Sequence, residues 1–345
     1  MFIIRPIAET DFDGLCELAS IVKGLTTLPN DHKILQNKIY DSLKAFGPHV
    51  RKPGGEAYLF VLEDLDTHKI IGTSGIISKT GGFEPFYTYQ IRSELYASKQ
   101  LNIHRQIQTL HLITSHNGPS EIFGLFLNPE YRTHGLGKLL SLSRFMFMRQ
   151  FTPRFDETVI SELRGVINTE GKSPFWECVG KHFFDLDFYT ADFLSGTGDK
   201  QFIEDLMPDH PIYIPMLPHE VQNVIGQVHN NTLPALKLLT DQGFIYKNEV
   251  DIFDAGPTVS AKLSQIATIA ESVIGQAIPT EPFTTSESFT DALVSNTKLD
   301  FRCTRAQVYQ NSDGEIHLEK TVADALQIQK GDPILYYPMT HSNPS

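Results

Sequence analysis

The chain has 345 residues, 41% apolar and 20% charged, enough ordinary globular material for two or three compact units with real cores and without any apolar run of membrane-spanning length. A formal net charge of -12 argues against a general nucleic-acid or anionic-membrane surface, because both need basic patches that neutralise phosphate. Three scattered cysteines, Cys16, Cys178 and Cys303, indicate neither a disulfide framework nor a zinc site with close ligand pairs, and no metal is expected.

The opening MFIIRPIAETDFDGLCELA lacks the basic region, long apolar core and small-residue cleavage site of a signal peptide, so the expectation is a cytoplasmic protein without a membrane partner. Residues 2–7 read as a strand, and Thr10-Asp11 as the cap of a helix to about Val22 with Phe12, Leu15, Leu18 and Ala19 on one face. A turn over 24–30 precedes a second amphipathic helix near 31–46, and strands follow at 57–63, 69–78, 86–96 and 109–114.

The stretch from Glu121 to Met148, EIFGLFLNPEYRTHGLGKLLSLSRFMFM, joins an apolar strand to Arg132-x-x-Gly135-x-Gly137 and then to a helix. Phe123, Leu125 and Leu127 alternate with Gly124 and Phe126, as in a strand covered on both faces. Glycines at 135 and 137 let the backbone pass close to a bulky anion at the first turn of the helix. Unpaired amide N–H groups and the positive end of the helix dipole favour a pyrophosphate there, with charge added by Arg132 and Lys138. A Gly-x-Gly after a strand also marks ordinary tight turns. The run Arg144-Phe-Met-Phe-Met148 has the spacing of core packing.

Further on, 158–166 reads as a strand, and 173–183 as a short helix ended at Gly180 and restarted as an aromatic strand. The segment 231–246 has the same shape, a helix ending in Gly243-Phe244 before a strand. Two such endings suggest a duplicated or expanded core, or two unrelated helix caps. A Pro-, Thr- and Ser-rich linker over 279–291 precedes strands near 301–309, 315–318 and 334–338 around a helix at 322–326. The division expected is 1–185 as a core with the Arg132-to-Lys138 glycine loop, 186–280 as a second half carrying His229, and 281–345 as linker and small β-rich appendage.

The 121–148 motif resembles the acyl-CoA loop of the GCN5-related N-acyltransferase superfamily. Over nearly the whole chain, GLTTLP (24–29), YTYQI (87–91), ASKQLN (97–102), SRFMFM (143–148), LRGVIN (163–168), SPFW (173–176), ADFLSGTG (191–198), LMPDHPIY (206–213), VIGQVH (224–229) and DIFDAGPT (251–258) resemble the bacterial arginine N-succinyltransferase family. The likeness is weakest after about residue 280. It implies an α/β (α+β) fold of the GCN5-related type, a mixed and mostly antiparallel sheet flanked by helices, expanded or duplicated, with a small C-terminal β-rich appendage. It implies transfer of succinyl from succinyl-CoA, a co-substrate rather than a permanently bound cofactor, to the α-amino group of L-arginine, the first step of arginine catabolism to glutamate and succinate.

Carried over by position, Leu125 matches the family's succinyl-CoA-binding residue and His229 its proton donor. Phe126, Leu127, Arg132, Gly135, Leu136, Gly137 and Lys138 complete the expected acyl-CoA site. Asn128 stands where the family often has Asp. The neutral-range titration of histidine suits the proton role, although most of the 13 histidines must be solvated or structural. For the guanidinium, Glu121, Glu162, Asp251 and Asp254 are candidates, and for the succinyl carboxylate Arg164. Ornithine or another amino acid as acceptor, or a non-catalytic CoA-binding subunit, are the alternatives, and a homo-oligomer or pairing with a related subunit is allowed.

Overall fold

The computed structural model describes residues 1–22, 28–132, 135–196, 200–281 and 289–339. The expected turn over 24–30, residues Thr133 and His134 and the 341–345 tail lie wholly or partly outside them. Two compact units are interleaved along the chain: residues 1–78, 122–156 and 263–345 form the first, and 79–121 and 157–262 the second. These units do not follow the three consecutive segments drawn from the sequence, because strands distant in sequence pair with one another.

In the first unit, β1 (Phe2–Pro6) leads through a 3-10 turn into α1 (Phe12–Ile21), and Asp31 caps α2 (His32–Ala45) by accepting from the Ile34 N–H. Asp11 does not cap α1 with its side chain. Its carboxylate accepts from the Ala8 N–H at 2.7 Å and pairs with Arg5, also at 2.7 Å. Antiparallel β2 (Ala57–Asp64) and β3 (Lys69–Ile77) follow. Strand alternation sends Leu59 and Val61 to a core with Leu15, Leu18, Leu35 and Ile39 of the two helices. Tyr58 and Phe60 face the other way, onto Phe147.

The second unit takes up the chain with a long hairpin, β4 (Phe86–Ser98) and β5 (Ile103–Ser115), in register from Phe86↔Ser115 to Ser98↔Ile103. Then β6 (Ser120–Leu127) runs from the second unit into the first, where it neighbours β3, and a 3-10 turn over Pro129–Tyr131 leads to α3 (Leu136–Gln150). The expected motif strand and helix are both present. Phe145, Met146, Phe147 and Met148 are fully buried, as the core reading of that run requires.

Strand β7 stops at Glu162 (Thr158–Glu162), short of the expected Val166. After it come α4 (Pro174–Cys178) and α5 (Lys181–Phe184), so the chain past Gly180 continues as helix and the expected aromatic strand is absent. The glycine answers a packing demand: a Cβ there would sit 2.2 Å from the Trp176 ring, which stacks on Phe184 at 5.4 Å. The parallel with Gly243, on which a duplicated core rested, therefore fails at its first member. Next are α6 (Phe188–Gly196), α7 (Gln201–Leu206), β8 (Ile212–Tyr213), α8 (His219–Gln222) and α9 (Leu233–Asp241). At the end of α9, Gly243 takes φ +92° and β9 (Ile245–Val250) follows, as expected, before β10 (Pro257–Lys262). The second unit's strands run β7-β10-β9-β4-β5-β8, with the first residues of β6 beside β7. Tyr89, Val250 and Leu110 face a helical core of Phe175, Trp176, Phe184, Phe188 and Ile203.

After α10 (Ala267–Glu271), the first unit gains β11 (Val273–Thr280), β12 (Thr290–Asn296), β13 (Cys303–Gln310), β14 (Glu315–Glu319), α11 (Lys320–Leu326) and β15 (Pro333–Pro338). The order β12-β15-β11-β14-β13 closes through a further β12–β13 pairing, and this ring holds its own core of Ala277, Val294, Val308, Ile316 and Leu326. That is the expected β-rich appendage. The expected linker is narrower than drawn, since Pro279 and Thr280 pair with β14 and Thr290 and Asp291 with β13. No described helix is long and apolar enough to cross a membrane.

Candidate functional site

The candidate acyl-CoA site lies in the first unit. Gly124 has φ +61° in the middle of β6, a conformation that breaks the regular ladder and that a side chain rarely tolerates. The Thr73 hydroxyl donates to the Gly124 carbonyl at 3.2 Å, and the buried Arg144 reaches the Phe123 carbonyl at 3.4 Å, so the kink is held from β3 and from α3. Around it, Phe123, Leu125 and Phe126 are only half-buried, a correction to the expected strand covered on both faces; Leu127 is buried. The Asn128 side chain accepts from the Glu130 N–H at 3.1 Å and forms the turn that its Asn-Pro pair predicts.

Gly135 is the N-cap of α3 at φ +75° and ψ 15°, where only glycine sits without strain. The Lys138 and Leu139 N–H groups turn to the Gly135 carbonyl, while Leu136 and Gly137 stand ahead of any helical acceptor. A Cβ built on Gly137 meets nothing within 4 Å. The helix therefore starts with amides, an open face and the positive end of its dipole, the requirements of an anion site. Of the other expected residues, Arg132 is exposed and donates to the Leu127 carbonyl at 3.4 Å, Lys138 is half-buried, and Leu136 is buried, leaving only its backbone for a ligand. A neighbour absent from the sequence reading is Arg305: its Nη1 would lie 3.0 Å from a Cβ on Gly135, and the side chain is anchored by Asp291 at 2.6 Å. No local pattern links residues 135 and 305, so only the fold reveals it. A separate 410 Å³ recess of the first unit, lined by Arg5, Phe46, Asp300 and Arg302 among others, contains none of the expected site residues.

The second unit carries His229 and the four acidic candidates. The His229 N–H donates to the Arg164 carbonyl at 2.8 Å, beside a bridge between Gly165 and Val228. Its Nδ1 accepts from the Asn231 N–H at 3.1 Å, which fixes the proton of the neutral ring on Nε2. Burial, with the nearby Arg164 guanidinium, lowers the imidazole's pKa from 6.5, so the ring is neutral at pH 7.

The acidic candidates divide into two kinds. Asp251 accepts from the Phe253 and Asp254 N–H groups at 2.7 and 2.8 Å, and Asp254 accepts from Gly165 and Gly256 at 2.7 and 2.8 Å. The first of these last two bonds holds the backbone at Gly165, next to Arg164. The Glu121 and Glu162 side chains make no hydrogen bond or ion pair with a described residue, and the Glu162 Oε1 is buried without a partner. Burial pushes Glu121 up to about 7 against the pull of Lys200, and raises Glu162 well above the ordinary carboxylate range, helped by the charges of Glu121 and Asp251. No group of three or more described His, Cys, Asp and Glu side chains is placed to hold a metal ion.

Residues 2–268 match the family model "Arginine N-succinyltransferase beta subunit", and residues 278–338 match the model of that subunit's C-terminal domain. The region where the resemblance is weakest thus has a family counterpart. Proteins described as arginine N-succinyltransferase from Citrobacter koseri and Escherichia fergusonii are 41% and 40% identical, each over 97% of this chain and 96% of their own length. The solved structure of arginine/ornithine succinyltransferase subunit AI from Pseudomonas aeruginosa superposes with a TM-score of 0.88 at 32% identity, covering 98% of both chains. With matches along both units and a mixed α/β fold shared over the full length with that structure, this chain belongs to the arginine N-succinyltransferase family.

Proposed function

We propose that this protein transfers succinyl from succinyl-CoA to the α-amino group of L-arginine. The observation that carries the proposal is the left-handed Gly135 starting α3 directly after β6, with open space over Gly137. In this reading the carrier's diphosphate takes the first-turn amides, Arg132 and Lys138 add charge, and the backbone of β6 at Leu125 to Leu127 receives the pantetheine arm and the thioester. The amine's lone pair attacks the thioester carbon, the N–C bond forms, the C–S bond breaks, and the proton lost by nitrogen ends on sulfur as CoA thiol. No enzyme nucleophile is needed.

His229 serves that proton balance. The neutral ring, its hydrogen held on Nε2 by the Nδ1 bond, donates to charge developing on sulfur or on the thioester oxygen and regains at Nε2 the proton that the amine nitrogen loses, so the ring ends each turnover unchanged. The family relationship and the fixed Nδ1 bond support this assignment. Ornithine is the second acceptor to consider, since the name of the Pseudomonas relative includes it. Turnover followed by free-thiol release, with arginine, ornithine and lysine crossed against succinyl- and acetyl-CoA, tests the reading. Arginine with succinyl-CoA should give the highest kcat/KM, and absence of thiol release with every acceptor would refute enzymatic transfer.

A further inference from the structure

The strand register of the second unit gathers four polar side chains on one sheet face. Glu121 is opposite Ile160 in the parallel β6–β7 pair, and Ile160 is opposite Ser260 in the antiparallel β7–β10 pair. Two residues on, Glu162 is opposite Thr258. Directly paired residues share a face, and so do residues two apart on one strand, so Glu121, Glu162, Thr258 and Ser260 point to the same side. The helical core of Tyr89 and Val250 lies on the other side, because Val250 is opposite Pro257 and Tyr89, one position out of phase with Thr258.

Three oxygens on this polar face have no partner among the described residues: Glu162 Oε1, Thr258 Oγ1 and Ser260 Oγ. Thr258 is 2% exposed and Ser260 6%, so neither hydroxyl is left to bulk water. Buried oxygens without partners are costly, and three on one face beside a second glutamate mark a place that lacks donors. The local cation, Lys200, is near enough to act on both glutamates but forms no ion pair with either among the described residues. Asp251 and Asp254 are already engaged by backbone amides.

We infer that Glu121, Glu162, Thr258 and Ser260 form the subsite for the cationic end of the acceptor's side chain, a guanidinium in the first instance. The inference rests on the proposed function and names the acceptor end of that reaction. Two carboxylates exclude an anion, and unpartnered oxygens disfavour an apolar group. A guanidinium brings five donors in one plane and accepts nothing, which answers a face of acceptors. An ammonium has three donors on a point and leaves more of these oxygens unpaired.

The test uses the full-length enzyme as wild type, Glu162→Gln, Glu121→Gln and Thr258→Val, with L-arginine and its neutral isostere L-citrulline as acceptors and calorimetric titration of L-arginine alone. Glu162→Gln should raise the KM and Kd for arginine at least about tenfold, the loss of a charge-assisted contact, with citrulline's KM moving less than about threefold and the KM for succinyl-CoA unchanged. Thr258→Val should move arginine in the same direction by a smaller factor, and it decides the matter if Glu162→Gln fails to fold. Equal changes for both acceptors, no change for arginine, or a fall in kcat at constant KM would overturn the subsite, the last by making these glutamates acid–base groups. If the wild type does not succinylate arginine, the proposed function fails while calorimetry still decides here. Binding lost in Glu162→Gln then supports the subsite, and no binding by the wild type overturns it.

Discussion

His229 is neutral at pH 7 for two reasons that act together: burial and the Arg164 charge disfavour the imidazolium, and an amide donor already occupies Nδ1. A proton added at Nδ1 would face the Asn231 N–H, so acid must break that bond. Activity that needs the ring held in place by that bond is therefore complete above its lowered pKa and is lost as pH falls through it, which sets the acid limb of kcat below pH 6.5. His229→Gln should reduce kcat about 100-fold or more and abolish that limb, with the KM for succinyl-CoA nearly unchanged; a retained limb in a pH–rate profile would assign it to another group. The two loop glycines make a sharper pair. Gly135 is fixed by its φ of +75°, so Gly135→Val should impair both folding and carrier binding. A Cβ at Gly137 meets nothing within 4 Å, so the melting temperature of Gly137→Val should stay within a few degrees while its KM for succinyl-CoA rises about tenfold or more.

At the scale of elements, what the sequence revealed follows from which interactions are local. The β6 strand, its Asn-Pro turn and α3 were legible because alternation, turn chemistry and a glycine at a helix start all act within a few residues. The positive φ of Gly124 stands inside that strand, where a glycine fits a bulge better than any other residue. Gly180 misled because it answers a ring placement and not a helix end: the backbone comes close to the face of Trp176, one turn back, whereas at Gly243 a positive φ ends a helix. Gly180→Ala should accordingly cost about 1–3 kcal/mol in denaturant unfolding through overpacking. Asp254 was likewise visible only as a charge, although its carboxylate pins Gly165 and Gly256, where a Cβ would lie 2.4 Å from the Asp254 carbonyl and 2.0 Å from that of Leu163. Among the four acidic candidates, the split between amide-bound aspartates and unpaired glutamates depends on strand register and on turns that bring 165 to 254, which composition does not encode.

Across the whole molecule, 41 acidic residues against 29 basic ones make acidification relieve general repulsion, so a pH effect must be assigned by difference. Glu121 and Glu162 have folded pKa values above the ordinary 4.5, with Glu121 at about 7. Between 4.5 and 7 the folded state therefore holds more protons than the unfolded chain, and these groups make stability fall as pH rises through that window. Replacing Glu162 with Gln removes one titrating group and lowers the repulsion on the other. The wild-type melting temperature should then drop between pH 5 and pH 7.5 by on the order of 1–2 °C more than that of Glu162→Gln, the shift expected for about 1 kcal/mol in a protein of this size. General charge repulsion acts nearly equally on both proteins and cancels in the comparison. Parallel melting curves would mean that the two glutamates relax to solvent or to a counterion when ionised. L-arginine added at pH 7.5 adds a second arm: a bound guanidinium stabilises the ionised pair, so saturating arginine should recover most of the wild-type loss and leave Glu162→Gln nearly unmoved.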